Sequence, residues 1–270
     1  MTASVTARFV LTDDEMQVVA SRVGVQALPI VLGLRPRHGT ETALIAAIDQ
    51  ATRALTQRGL ICDGEVAPDL VPMLQALQRP DRELAMRFVT PDGTARVTVI
   101  RQGVQCISAR RVGNEITLDA VDGQPTMISA VRALLAHLPA SPAADIGAVG
   151  APLDAAAEAL SGTHDATLLS DRIRALGAEA RTAMQLGSAF ASRQAFAEIV
   201  YYALDDETDR ISRSAAAVGV FYTKRGRILA GPSVSPAGQL WTTLKAGSDH
   251  AISQAIGQLV ELSGGRWGDF

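Results

Sequence analysis

A block of four strands and a helix occurs twice in this 270-residue chain, and it restricts the fold more than any other feature. In the second copy, Ala215–Tyr222 is an apolar run that reads as a strand. Lys224-Arg225-Gly226 turns the chain, since Gly226 can take a positive φ without a Cβ clash. Arg227–Gly231 reads as the next strand. Pro232 and Pro236 cannot donate to a ladder, so pairing is expected to stop near them. Gly238 closes that loop and Gln239–Leu244 makes a third strand. Ser248 then caps a helix whose first turn holds Asp249 and whose stop is Gly264. Ile252, Ile256, Leu259 and Val260 share one face of it.

The first copy has the same order. Arg96–Arg101, Val104–Arg110 and Glu115–Val121 read as strands, turned at Gln102-Gly103 and at Gly113-Asn114. Asp122-Gly123-Gln124-Pro125 opens a helix carrying Met127, Val131, Leu134, Leu135 and Leu138 on one face, and Pro139 ends it. One further strand precedes each meander, Glu83–Val89 in the first and Ala197–Leu204 in the second. The repeated order and similar turns predict an internal duplication. The halves are residues 1–140 and 141–270, expected to form one compact unit around a shared sheet.

With 47% hydrophobic residues, 20% charged and a net charge of −3, the composition is that of a soluble globular protein. The slight acidity offers no electrostatic reason to expect nucleic acid or an anionic membrane as partner. Met1–Arg8 has no secretory leader pattern, and the apolar stretch Ala27–Leu34 is interrupted by Pro29 and Gly33 and is too short to span a bilayer. Cys62 and Cys106 are far apart, which favours reduced thiols over a disulfide and makes the cytoplasm the expected compartment.

Before the first meander, Phe9–Leu11 reads as a short edge strand, and Thr12-Asp13-Asp14-Glu15 is a capping box. The helix it opens carries Met16, Val19, Ala20 and Val23 and stops at Gly24. Leu28–Leu34 reads as a strand and Arg35–Gly39 as a loop. Glu41–Arg58 has Leu44, Ile48, Ala51 and Leu55 at helical spacing, with Gly59 as stop. A third helix, Asp69–Gln78, turns Leu70, Leu74 and Leu77 inward, and Arg79–Arg82 breaks it. Between the copies lies the Ala-, Gly- and Pro-rich segment Ala140–Gly150. Leu153–Leu160 is a short helix, and Asp165 caps a long one that runs through Leu169, Ile173, Leu176, Ala180 and Ala183 toward Gly187.

Chemistry is scarce. No zincin, paired CxxC, Walker or dinucleotide pattern occurs, so no cofactor, metal or catalytic residue is expected. Gly231-Pro232-Ser233-Val234-Ser235 lacks the last glycine of a nucleophile elbow and leads into a strand. Ser248-Asp249-His250 holds triad residue types, but neighbours on a helix point apart, and capping explains them better. Asp205, Asp206, Glu207 and Asp209 form an acidic loop without calcium-loop spacing. Arg96, Arg101, Arg110 and Arg111 make a basic fringe of the kind that discourages edge pairing.

The doubled meander, the Arg79–Arg82 break, Gly226-Arg227-Ile228-Leu229 through Trp241, Gly247-Ser248-Asp249 and Gly265-Arg266-Trp267 resemble the EspG family of ESX (type VII) secretion-associated chaperones. The resemblance implies an α+β fold, a central, mainly antiparallel sheet flanked by two helical subdomains with quasi-twofold symmetry. It implies a cytosolic, non-enzymatic chaperone that binds the helical tip of PE–PPE heterodimers, keeps them soluble and directs them to their secretion system. Such a protein is expected to be a monomer or weak homodimer. The family's binding surface, carried onto this chain, falls on Ile228–Gln239, with Ile228, Ala230, Gly231, Ser233, Val234, Ser235 and Gln239 as contact candidates. Part of the helix from Ser248 and the short loop Pro91-Asp92-Gly93-Thr94 complete it. Tyr201–Asp205 and Tyr202–Asp206 match the YxxxD/E pattern of type VII cargo, but both tyrosines fall in an expected strand, which marks the chain as chaperone rather than cargo. Two alternatives stand beside this reading: a nucleic-acid-binding regulator using the N-terminal helices, and a hydrolase using Ser233 or His250.

Overall fold

The computed structural model describes residues 7–35, 37–205 and 207–268. Pro36 of the expected loop and Asp206 of the acidic cluster lie outside the described residues. In chain order the elements are β1 (Arg8–Thr12), α1 (Asp13–Val23), a 3-10 turn (Ile30–Leu32), α2 (Glu41–Gln57), β2 (Ile61–Cys62), β3 (Glu65–Val66) and α3 (Leu70–Gln78). Then come β4 (Arg82–Thr90), β5 (Gly93–Gln102), β6 (Gln105–Val112), β7 (Glu115–Ala120), α4 (Met127–Leu135), β8 (Val149–Pro152), α5 (Leu153–Ala159), α6 (Ala166–Ala175) and α7 (Ala180–Ala191). The chain ends with β9 (Arg193–Asp205), β10 (Arg210–Arg213), β11 (Val218–Thr223), β12 (Gly226–Val234), β13 (Leu240–Ala246) and α8 (Asp249–Leu262). Among the described residues, 11 of the strands belong to one mainly antiparallel sheet, and β2–β3 forms a separate hairpin.

The residues group into two compact units. The first takes Met1–Ala85, Ala95–Leu134 and Ala203–Arg210; the second takes Met86–Thr94, Leu135–Tyr202 and Ile211–Phe270. In the first unit the strands run in the order β1, β7, β6, β5, β4. Met16 and Val19 of α1, Leu55 of α2 and Leu70, Leu74 and Leu77 of α3 bury against Ile100, Ile107, Ile116 and Leu118 of the strands. Each such side chain taken fully out of water contributes roughly 1.5–3 kcal/mol. The capping box forms in both directions: the Glu15 amide donates to Thr12 Oγ1 at 3.2 Å, and the Thr12 amide donates to Glu15 Oε2 at 2.8 Å.

Two expectations for this unit are corrected, and one unforeseen element is added. Leu28–Leu34 is not a strand: Pro29 and Gly33, with φ +61°, bracket a single 3-10 turn and leave no room for a ladder. The Asp63-Gly64 pair turns the small β2–β3 hairpin, with φ of 51° and 86°, a two-residue signal that the sequence reading passed over. The arginines of β5 and β6 are not an edge fringe, because both strands lie inside the sheet. Arg111 Nη1 instead donates to the carbonyls of Leu32 and Gly33, each at 2.7 Å, and Arg96 Nη1 donates to Val31 O at 3.1 Å. These tethers hold the segment after α1 onto the strands.

Buried Glu83 on β4 accepts a hydrogen bond from the Thr98 hydroxyl at 2.7 Å. Burial pushes its carboxyl from 4.5 up to about 7, against a smaller opposing effect of that hydrogen bond. The folded state therefore holds a proton that the unfolded chain releases near 4.5, so stability falls with rising pH across this window. The contribution is full below 4.5 and gone once the pH has passed about 7. Denaturant unfolding should show a loss of about 3 kcal/mol between pH 5 and pH 8 that Glu83→Gln removes. An identical pH slope in that variant would assign the effect to another group.

In the second unit the strands run in the order β9, β11, β12, β13, β8, with β10 pairing β9. Alternation along β12 divides its side chains between two layers. Ile228 and Ala230 pack with Leu169, Ile173, Leu186 and Phe190 of α6 and α7, while Gly231 faces Ala255 of α8. The Ser248 hydroxyl caps α8 by accepting from the Ala251 amide, and Ile252, Ile256, Leu259 and Val260 are buried. The C-terminal Gly265-Arg266-Trp267 serves packing, with Trp267 buried and its ring centroid 6.4 Å from that of Tyr201.

Here too the structure departs from the expectations. The helix through Leu169 and Ala183 is two helices, broken after Leu176 where Gly177 takes φ +96°. Gly187 is not a stop but a contact: a Cβ there would lie 2.7 Å from Ala166 O, so the glycine lets α6 and α7 approach. The apolar run from Ala215 becomes a strand only at Val218. Pairing continues through Pro232, which lies opposite Thr242 of β13. The last β11 partner is Gly219, opposite Ala230, so one edge of β12 needs no donor beyond that point. The segment between the copies also contributes structure, through β8 and a parallel bridge from Ala143 to Arg227.

Candidate functional site

The β12–β13 hairpin begins inside the protein and ends in solvent. Its base is fixed by Arg227, which is buried on β12. Arg227 Nε donates to Gly247 O at 2.6 Å and its Nη2 pairs with Asp249, so strand and α8 N-terminus are clamped together. The guanidinium also lies 6.0 Å from the centroid of the Tyr222 ring, and burial raises the Tyr222 hydroxyl above its ordinary pKa. That hydroxyl donates to Pro139 O at 3.0 Å.

The tip is a pre-formed turn. Gly238 N donates to Ser235 O at 2.9 Å across Pro236 and Ala237, and Gly238 takes φ +81°. Ser235 N donates to Gln239 O at 2.9 Å, and Gln239 N returns a bond to Ser235 Oγ at 3.1 Å. Trp241 Nε1 donates to Gln239 Oε1 at 3.3 Å, which orients the indole below the turn. From Ile228 to Leu244 no residue is charged. The tip therefore offers small side chains, hydroxyls, a carboxamide and part of an indole, held without the freedom of an open loop.

The candidate contact residues divide along this hairpin. Ile228 is wholly buried and belongs to the core, Ala230 packs on the same layer, and Gly231 is buried against α8. Ser233 is half-buried opposite Trp241, Val234 is 41% exposed, and Pro236–Gln239 is exposed. The accessible part is thus Ser233–Gln239. Pro91, Asp92 and Gly93 form the short β4–β5 turn of the same unit, where Thr90 Oγ1 donates to Gly93 O at 3.2 Å. Two further exposed apolar side chains of this unit, Leu168 on α6 and Met184 on α7, were passed over in the sequence. Their signal is that Met184 falls off the Ala183, Leu186, Phe190 seam of its helix.

The residues considered for chemistry are taken up by structure. Ser233 is a strand residue, Ser248 is a cap, Asp249 pairs with Arg227, and His250 is exposed on the first turn of α8. Asp205 Oδ1 accepts from the Glu207 and Thr208 amides, which lowers its carboxyl pKa, and Asp209 pairs with Arg79. Among the described residues no cluster of three or more metal-ligating side chains occurs. A cavity of about 650 Å³ in the first unit is lined by Gln17, Ser21, Gln26, Ile30 and Leu34, with Arg35 as its one charged lining residue among the described residues. Tyr201 is buried in β9, so the Tyr201–Asp205 match is not a displayed signal. No helix among the described residues is long and apolar enough to cross a membrane.

A model described as the EspG family matches residues 12–258. The ESX-1 secretion-associated protein EspG1 of Mycobacterium tuberculosis is 30% identical over 276 residues, covering 96% of this chain and 89% of that protein. The ESX-3 secretion-associated protein EspG3 of Mycolicibacterium smegmatis is 26% identical over 261 residues, covering 95% of this chain and 88% of that one. The fold is shared with the Mycobacterium tuberculosis type VII secretion system chaperone EspG5, solved in complex with a PE25-PPE41 dimer. The TM-score is 0.80, with 18% identity, 98% of this chain covered and 99% of that one.

Proposed function

Because the chain belongs to the EspG family, we propose that it is a cytosolic, non-enzymatic chaperone of type VII (ESX) secretion. It covers the helical tip of a PE–PPE heterodimer, keeps the dimer soluble and directs it to its secretion system. The observation that carries this reading is the end-to-end similarity to relatives named for ESX secretion, 96% of this chain against 89% of one of them. The physics of the hairpin agrees with it. A helical dimer with an apolar tip aggregates until that tip is covered. A rigid, uncharged turn covers such a surface without stranding a charge and loses little entropy on docking.

The grip is placed on Ser233–Gln239, with the Pro91 turn contributing. A stable complex of this kind buries roughly 1,200–2,000 Å². Co-expression with the PE–PPE pairs of the same genome should yield a complex that survives size exclusion and increases the yield of soluble dimer. Ser233→Tyr adds a bulky ring at the hairpin shoulder and should weaken that complex about tenfold or more in calorimetry while leaving thermal unfolding nearly unchanged. Full affinity in the folded variant would move the grip to the Pro91 turn or α8. Failure to retain or solubilise any PE–PPE pair would end the chaperone reading.

A further inference from the structure

The cavity of about 650 Å³ in the first unit lies between one face of α1 and the segment that follows that helix. Gln17, Ala20, Ser21 and Gly24 recur at helical spacing along this face. They are small or polar, and they leave space that side chains such as Met16 and Val19 fill on the core side. The facing wall is pinned at both ends. Val25 N donates to Ala20 O at 2.9 Å, and Gln26 N donates to Gln78 Oε1 at 3.3 Å. Farther along, Arg96 and Arg111 hold the carbonyls of Val31, Leu32 and Gly33. The space is therefore pre-formed, and its volume falls within the roughly 300–1,000 Å³ of small-molecule sites. Leu28, Ile30 and Leu34 give the wall an aliphatic surface, and Ile30 is left 86% exposed.

We propose that this cavity binds a small amphiphilic monocarboxylate, an aliphatic chain ending in one carboxylate. The polar groups of its lining are uncommitted. Among the described residues, the Gln17 carboxamide, the Ser21 hydroxyl and the Arg35 guanidinium enter no hydrogen bond or ion pair. The cations next to Arg35 in sequence are already taken, Arg37 by Asp13 and His38 by Asp14. No carboxylate lines the cavity among the described residues, so Arg35 makes it electropositive. A guanidinium fork matches a carboxylate through two parallel hydrogen bonds. One cation balances one negative charge, which favours a monoanion over a phosphate carrying nearly two. The aliphatic chain lies against Leu28, Ile30 and Leu34 and takes out of water apolar surface that the fold leaves open. Because the cavity is open to solvent, affinity is modest, roughly 10–100 μM for a ligand the size of decanoate.

This site does not rest on the chaperone reading, and its test needs no PE–PPE pair. Decanoate titrated into the full chain by calorimetry should bind at one site, and the methyl NMR signal of Ile30 should shift along the same isotherm. Arg35→Glu should weaken decanoate about tenfold or more, while the affinity for decanol, the neutral analogue, changes less than about twofold. Ser21→Phe, at an exposed helix position, should fill the cavity and abolish binding of both with an unchanged circular dichroism spectrum. If that variant misfolds, Arg35→Glu still decides. Decanoate that fails to saturate, or that binds without moving the Ile30 signal, overturns the proposal. So does an equal loss of decanoate and decanol in Arg35→Glu, which would leave an apolar surface with no carboxylate recognition.

Discussion

Replacing Arg111 with Met should cost the first unit about 3–5 kcal/mol, the range for breaking a buried ion pair by removing one partner. Arg111 Nη2 donates to Asp13 Oδ2 at 2.5 Å, and Asp13 is 1% exposed at the start of α1. Arg37, at 2.6 Å and much more exposed, is the other cation on that oxygen. Burial raises the Asp13 carboxyl pKa, while Arg111 and then Arg37 oppose the rise. Without Arg111 the carboxylate stays buried with one peripheral partner, and the carbonyls of Leu32 and Gly33 lose their donor together. Denaturant unfolding should register the loss. Proteolysis should cut first in the segment 30–39 that those bonds hold down. Asp13→Leu combined with Arg111→Met should recover much of the stability, since an apolar pair leaves no charge stranded. A double variant no more stable than the single one would show that the tethering carbonyls, and not the ion pair, carry the effect.

Gly226→Ala should be nearly as damaging in the second unit, at about 3 kcal/mol or more, because strain and collision coincide. Gly226 takes φ +105°, outside the region that a side chain tolerates, and a Cβ there would sit 2.8 Å from Pro142 O and 2.9 Å from Ala144 N. Those atoms cannot yield freely. Arg227 N donates to Pro142 O at 2.7 Å, and Arg227 O accepts from both Ala144 N and Gly247 N. Gly113→Ala is the control: φ is +61° and open space surrounds the Cβ position, so about 1 kcal/mol of strain is all that remains. Equal losses at the two sites would mean that the 142–144 segment moves aside and contributes little.

Where local chemistry was decisive, the residues alone were enough. Thr12 and Glu15 share one turn of helix, so their reciprocal bonds were readable, as were the Ser248 cap and the buried faces of α3 and α8. The meander strands and their glycine turns followed from alternation and from positions that need a positive φ. The family resemblance covered nearly the whole chain because turns, caps and strand lengths are local and recur in order.

What the sequence left open depends on neighbours distant along the chain. Pro232 stays paired because β11 has ended beside it, which only the register of three strands reveals. Gly187 reads as a helix stop until Ala166 and Ser170 are placed against it. The arginines of β5 and β6 look like solvated charge, and become tethers once the segment at Val31–Gly33 lies within reach of their guanidinium groups. Ile228 reads as a contact residue by its place in a motif, yet the α6–α7 layer takes it into the core and leaves Ser233–Gln239 as the accessible part of the hairpin. The stripe on α2 gives the clearest contrast. Its 3.6-residue period is identical over the whole helix, and only the extent of the surface beneath it decides that Leu55 is buried while Leu44 and Ile48 are not.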